Sequence, residues 1–266
     1  MDQTGLSVVE LGVVPYGEAL ELQREIAAAR QSGAIGDVLL LLEHPPVLTK
    51  GRRAEKRELG MGEDWYRMQG IEVEETDRGG RVTYHGPGQL VAYPIVEIAG
   101  VLEGGRPDVL EFVRSLERVM IAALTTHDVP AQVFDGLTGV WTAGAPPIPV
   151  GSVGPQRTDV VARSPELASA GAEARKIGSI GIHVTRGVST HGIAINVNND
   201  LQPFEWIVPC GIEAARMSSL AREHGAEQDF AAFRATVRGE FGRELGRELV
   251  DLSAEKLAEQ VLTAAP

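Results

Sequence analysis

Cys210 is the single cysteine of the chain, set in Ile207-Val208-Pro209-Cys210-Gly211-Ile212, where the proline fixes the approach and the glycine permits an unusual turn. A thiol so placed can face a cleft and act as a nucleophile once a cation or base activates it. Lys176, His85, His183 and His191 are the side chains able to do that. Taken alone, a lone cysteine is more often a small buried hydrophobe. Lys176, ahead of Ile177-Gly178-Ser179-Ile180-Gly181-Ile182, is on composition a solvated lysine at a strand edge. His191 begins His191-Gly192-Ile193-Ala194-Ile195 and either lines the same cleft or caps a hairpin. A zinc site from His85, His183, His191 and Cys210 lacks a close-spaced ligand pair, so no metal is assigned.

The densest segment is Arg78-Gly79-Gly80-Arg81-Val82-Thr83-Tyr84-His85-Gly86-Pro87-Gly88-Gln89-Leu90-Val91-Ala92-Tyr93. Its glycines let backbone approach a ligand closely, while Arg78, Thr83, His85 and Gln89 place polar groups between them. A glycine-rich hairpin with a satisfied histidine is the plain alternative. The clustering of so many donors favours a site.

These residues need a scaffold, and the hydrophobic pattern supplies one. Val8 to Val14 reads as a strand, Glu18 to Arg30 as a helix with Leu22, Ile26 and Ala29 near one face, and Val38 to Leu42 as a buried strand. Pro107 to Asp128 is the clearest helix, with Phe112, Leu116, Val119, Met120 and Ala123 at helical spacing behind Pro107 and Asp108. Ile177 to Val184 and Val188 to Val197 form a hairpin about Thr185-Arg186-Gly187. Thr138 to Trp141 is a strand, and Gln228 to Leu245 and Ala254 to Ala264 are amphipathic helices. Between Ala143 and Ala174, five prolines among Gly, Ala and Ser predict a mobile insertion rather than a domain linker. The fold class is α/β (α+β): one domain over residues 1–266, a mixed sheet with packed helices and a small subsidiary sheet.

With 266 residues, 43% hydrophobic and 23% charged, the chain is an ordinary globular one. Its net charge of −12 argues against bulk nucleic-acid binding. One cysteine excludes an intramolecular disulfide and fits a reducing cytoplasm. The amino terminus lacks the basic and apolar regions of a secretory signal. The longest aliphatic run, Val38 to Leu42, is far short of the roughly 18 to 20 residues a membrane span needs.

In order and spacing, the Arg78 to Tyr93 run, Arg175-Lys176-Ile177-Gly178-Ser179-Ile180-Gly181, Ser189 to Asn198 and Pro209-Cys210-Gly211 resemble the lipoate-protein octanoyltransferases. Glu43-His44-Pro45-Pro46-Val47-Leu48-Thr49 adds an early match, so the resemblance spans about the whole chain. It implies a fold of the biotin and lipoate protein ligase type. It also implies transfer of an octanoyl group from acyl carrier protein to a lysine of lipoyl domains, in 2-oxoacid dehydrogenases and the glycine-cleavage H protein, with no ATP and no other cofactor. By motif position Cys210 matches the nucleophile that carries an acyl thioester, and Lys176 the lysine that tunes it or moves protons. Arg78, Gly79, Gly80, Arg81, Val82, Thr83, Tyr84 and His85, with Ser179, Ile180 and Gly181 and with Gly192, Ile193 and Ala194, match the segments lining the acyl site.

The chemistry is consistent on its own terms. Thioester and thiol exchange at little energetic cost, and amine attack then gives an amide downhill. The insertion before Lys176 is longer than that family's usual connection, and its composition implies that it is dispensable. Acidic partners sit awkwardly with a charge of −12, so docking needs a local patch, for which Lys50, Arg52, Arg53, Lys56 and Arg57 are available. The rival activity is an ATP-dependent lipoate or biotin ligase, against which the chain shows no Gly-Arg-rich phosphate loop or Walker sequence. A non-catalytic lipoyl-domain binder would not need both Cys210 and Lys176, and a Cys-His hydrolase lacks a visible orienting residue.

Overall fold

The computed structural model describes residues 5–102, 107–143, 173–208 and 216–264. In chain order the elements are β1 (Leu6–Val13), α1 (Tyr16–Gln31), β2 (Asp37–Glu43), β3 (Val47–Lys50), α2 (Glu63–Met68), β4 (Glu72–Glu75), β5 (Val82–His85) and β6 (Gln89–Ile95). They continue with α3 (Ile98–Val101), α4 (Val109–Thr126), β7 (Ala131–Phe134), β8 (Leu137–Thr142), β9 (Lys176–Thr185) and β10 (Val188–Asn196). Last come α5 (Gln202–Glu205), α6 (Leu220–His224), α7 (Phe230–Glu244), β11 (Leu249–Asp251) and α8 (Ala254–Ala264).

Among the described residues the main sheet runs β11-β1-β2-β6-β10-β9-β8-β7, and a smaller one runs β4-β3-β5. The main sheet is mixed: β1 is parallel to both neighbours, and the pairs from β2 through β7 are antiparallel. Period-two alternation sorts each central strand between two cores. Leu39 and Leu41 of β2, Leu90 and Ala92 of β6, and Ile193 and Ile195 of β10 meet α4 and α7. Val38, Leu40, Leu42, Val91, Tyr93 and Ala194 meet α1 and α8 on the opposite face. A third core, holding Leu48, Tyr66, Val82, Tyr84 and Phe204, backs the small sheet. No described helix is long and apolar enough to cross a membrane.

The sequence dictates several of these elements locally. Asp108 caps α4 by accepting from Leu110 N and Glu111 N, which fixes the start that its periodicity implies. The β9–β10 hairpin turns through Arg186 at φ 51° and Gly187 at φ 81°, two successive positive values that match the strand twist and suit a glycine at the second position. The expected mobile insertion lies outside the described residues except at its ends, where Ala143 N donates to Pro130 O at 3.0 Å.

Candidate functional site

A cavity of about 620 Å³ opens between the small sheet and the β9–β10 hairpin, within the usual range for a small-molecule site. Of the residues singled out from sequence, Arg78, Gly79, Gly80, Arg81, Thr83, His85, Lys176, Ser179, Ile180, Gly181, Gly192, Ile193 and Ala194 line it. Val82 and Tyr84 do not. They occupy the alternate positions of β5 and point into the core behind the small sheet, while Thr83 and His85 face the cavity. Leu90 and Ile195 likewise belong to the main core and stay out of the lining, whereas Ile193 contributes to both.

Arg78 is a structural brace before it is a ligand-facing cation. Its guanidinium donates to Thr49 O at 2.6 Å, Thr49 Oγ1 at 2.7 Å, Arg81 O at 2.8 Å and Gly79 O at 3.0 Å. Those bonds tie the 78–81 loop to β3, and Gly79 N ties it to Ile182 O of β9 at 2.9 Å. The charge is thereby fixed at the cavity wall, with little freedom to move.

Lys176 opens β9 with 1% of its surface exposed. Its Nζ donates to Thr138 O at 2.8 Å and stands 5.7 Å from the Trp141 ring centre. Its backbone is held as well: Lys176 N donates to Arg216 O at 2.7 Å and Ser218 N to Lys176 O at 2.8 Å. Arg216 is where the described chain resumes after 209–215, so Cys210, the expected nucleophile, lies outside the described residues.

Opposite this wall is a set of buried rings. Gln89 Nε2 donates to Asn196 Oδ1 at 2.8 Å, so its Oε1 accepts from His85 Nδ1 at 2.6 Å. Burial, aided by His44 and Arg78, pushes His85 well below its ordinary range and keeps it neutral. His44 donates from Nδ1 to Val14 O at 2.7 Å and accepts the Tyr93 hydroxyl at Nε2, 2.8 Å away. Burial lowers His44 to about 4 and raises Tyr16 to about 12. His191, at φ 57°, meets Asp77 Oδ1 through Nε2 at 2.8 Å and Tyr16 OH through Nδ1 at 3.4 Å. His183, a candidate activator from sequence, is absent from this lining and meets the other carboxylate oxygen of Asp77 at 2.8 Å. Burial disfavours the Asp77 carboxylate, but hydrogen bonds from His191 and His183 win and hold it at about 2.

The depression of His44 has a consequence for stability. Its folded pKa of about 4 lies below the ordinary 6.5, so between those values the unfolded chain binds a proton that the folded one refuses. Stability therefore rises with pH across that window, by up to about 3 kcal/mol from this group. Urea midpoints measured between pH 4.5 and 7 should show the rise, and His44→Gln should make it shallower, the buried His85 supplying what remains.

Sequence reasoning missed Tyr16, Tyr93 and Arg53 in the cavity lining and Asp77 behind it. Asp77 directly precedes the Arg78 motif, which was the available signal. The basic patch is smaller than its sequence suggests. Lys50 is paired with Glu63 at 2.7 Å and Glu75 at 2.9 Å, and the exposed Arg57 with Glu55 at 2.7 Å, whereas Arg52, Arg53 and Lys56 are exposed with no ion pair among the described residues.

The family model for the lipoyl protein ligase A/B catalytic domain matches residues 15–242. An octanoyltransferase from Acidobacterium capsulatum is 39% identical over 254 residues, covering 94% of each chain. One from Nocardia farcinica is 41% identical over 236 residues, covering 89% of this chain and 80% of the relative. Among solved structures, a bipartite lipoate protein ligase studied with its E2 lipoyl domain, from Thermoplasma acidophilum, is similar in fold. It has a TM-score of 0.66 at 16% identity, covering 98% of this chain and 91% of that one.

Proposed function

Since the chain belongs to the lipoyl protein ligase A/B catalytic domain family and its octanoyltransferase relatives match it over most of their length, we propose that it moves an octanoyl group from acyl carrier protein to a lysine of lipoyl domains. Cys210 takes the acyl group as a thioester, releasing the carrier thiol, and the acceptor amine then displaces the thiol to form an amide. Lys176 works on both steps, its ammonium favouring the thiolate and its neutral form accepting a proton from the amine. The acyl chain lies along Ile180, Ile193 and Ala194. The glycyl stretches at 79–80 and 192 let the reacting end come close to backbone.

The observation that carries this reading is Lys176, a buried amine on the wall of a ligand-sized cavity and backbone-paired to the residue at which the chain returns from the Cys210 segment. The test is intact mass after mixing the protein with octanoyl-acyl carrier protein and no ATP. An octanoyl adduct on the native chain and none on Cys210→Ser is the expected result. Modification of a lipoyl domain only from free octanoate with ATP would mean that the chain is a ligase.

The carrier docks on Arg52 and Arg53, of which Arg53 also lines the cavity. Exposed cations beside an acyl site steer an acidic partner toward it. Reversing both to Glu should raise the apparent KM for the carrier several-fold while kcat stays near native, and high salt should erase the difference. A KM equal to that of the native chain would reject this docking surface.

A further inference from the structure

Amide formation from a lysine ammonium does not balance in protons. Thiol exchange on the donor thioester does: one thiol enters and one leaves. In the second step the acceptor's ammonium becomes an amide nitrogen and loses two protons as the C–N bond forms and the C–S bond breaks. The departing sulfur takes one. The other must reach solvent in every turnover, at the moment when the protein bearing that lysine covers the cavity mouth.

The cavity wall holds a hydrogen-bonded route outward. Tyr16 and His191 both line the cavity, with the tyrosine hydroxyl 3.4 Å from His191 Nδ1. His191 Nε2 donates to Asp77 Oδ1 at 2.8 Å, and Asp77 Oδ2 meets His183 Nδ1 at 2.8 Å. Asp77 and His183 face a second pocket of about 180 Å³ on the far side of that wall, lined also by Gln23, Gln31 and Thr190. His191 is nearly closed off, with 2% of its side chain exposed, whereas His183 is 27% exposed and Asp77 43%. Gln23 accepts the His191 backbone N–H at 2.6 Å through Oε1, and its buried Nε2 has no partner among the described residues. The second pocket is roomy enough to hold water, with Gln23, Gln31, Asp77, His183 and Thr190 among the polar partners on a lining that is otherwise mostly aliphatic. Arg78 acts electrostatically on both Tyr16 and His191 from the cavity side, and Asp77 lies on the other, so a positive charge on the imidazole is pushed outward.

We propose that the Tyr16–His191–Asp77 chain, ending at His183, carries the proton released by aminolysis from the acyl cavity to the second pocket. The proton enters at His191 Nδ1 by way of the Tyr16 hydroxyl. His191 passes its Nε2 proton across the Asp77 carboxylate, which at a pKa of about 2 holds it only in passing and gives it up to water beside His183. Asp77 and His183 stand outside the cavity lining, so they are relay residues. The proposal rests on octanoyl transfer to a lysine amine, and holds whether or not the acyl group pauses on Cys210.

The experiment uses the full chain, octanoyl-acyl carrier protein and a lipoyl domain, at about 1 mM buffer and again with 50 mM imidazole. Asp77→Asn keeps the shape and one acceptor oxygen but cannot take up the proton, and His183→Gln removes the titratable partner at the exit. Both should load octanoyl onto the protein at the native rate. Both should slow amide formation in weak buffer by roughly tenfold, less than the 10²–10⁴ of a group acting on reacting atoms. Imidazole should restore most of the loss, which a merely structural role would not allow. Native amide formation in both variants at 1 mM buffer, or a loss in loading and transfer alike that imidazole leaves untouched, would overturn the relay. Absence of turnover by the native chain would remove octanoyl transfer itself, and the relay with it.

Discussion

Replacing Lys176 with methionine is expected to lower octanoyl transfer by about 10²–10⁴-fold, the span associated with loss of a positioned acid–base group. Methionine occupies similar volume, so the apolar stem keeps its place beside Trp141. What disappears is the Nζ donor on Thr138 O and the amine that shuttles protons. The effect should fall on kcat rather than on KM for the carrier, because Lys176 is buried within the cavity and does not meet the partner's surface. Loading of octanoyl onto Cys210, followed by mass in single turnover, should slow together with amide formation, unlike the relay variants. A kcat within threefold of native would remove Lys176 from the mechanism.

Gly139→Ala should disable the same lysine without touching it chemically. Gly139 sits at φ +105°, a conformation that residues with a side chain rarely adopt, at a cost of about 1–3 kcal/mol. A Cβ there would come 2.7 Å from Lys176 Cε and 3.1 Å from Nζ, and within 2.4 Å of Gly178 O. The lysine tip can move, whereas the Gly178 carbonyl belongs to β9. Overpacking adds about 1–3 kcal/mol. A displacement of about 1 Å in an acting group is worth on the order of 10²-fold in rate. The expected result is thus a folded but less stable protein whose kcat approaches that of Lys176→Met, checked by paired melting and single-turnover measurements. A variant that melts lower and yet turns over normally would show that the ammonium tolerates a shift in position.

What could be read from the residues alone follows from how local the causes are. The α4 helix carries its own cap and stripe, and the β9–β10 hairpin its own turn, so both were legible to within a few residues. The glycine-rich run was recognisable as a site segment, but not which of its side chains face the ligand. That depends on strand register: pairing Leu48 with Tyr84 and Thr49 with Thr83 sends Val82 and Tyr84 one way and Thr83 and His85 the other. Asp77 stood in plain view, but its partners are 106 and 114 residues away, and only the folded hairpin brings them to it. Tyr16 gives no signal in the sequence because it opens a helix whose buried aliphatic residues serve the core. The basic cluster was overread for the opposite reason, since the acids that neutralise Lys50 come from α2 and β4.

The pairing of β11 with β1 has a bearing on how the chain is made. Leu6 sits opposite Leu249, so one edge of the main sheet is completed by a strand some 240 residues later in synthesis. While the chain emerges from the ribosome, the strands that build the cavity can already pair, but β1 keeps an open row of amides and carbonyls. An open edge of this kind is a template for pairing with another chain. Nascent chains stalled before residue 249, or products truncated there, would carry a nearly complete acyl site on a molecule prone to self-association. The last short strand and the α8 helix behind it thus matter more to the solubility of the newborn protein than to its chemistry.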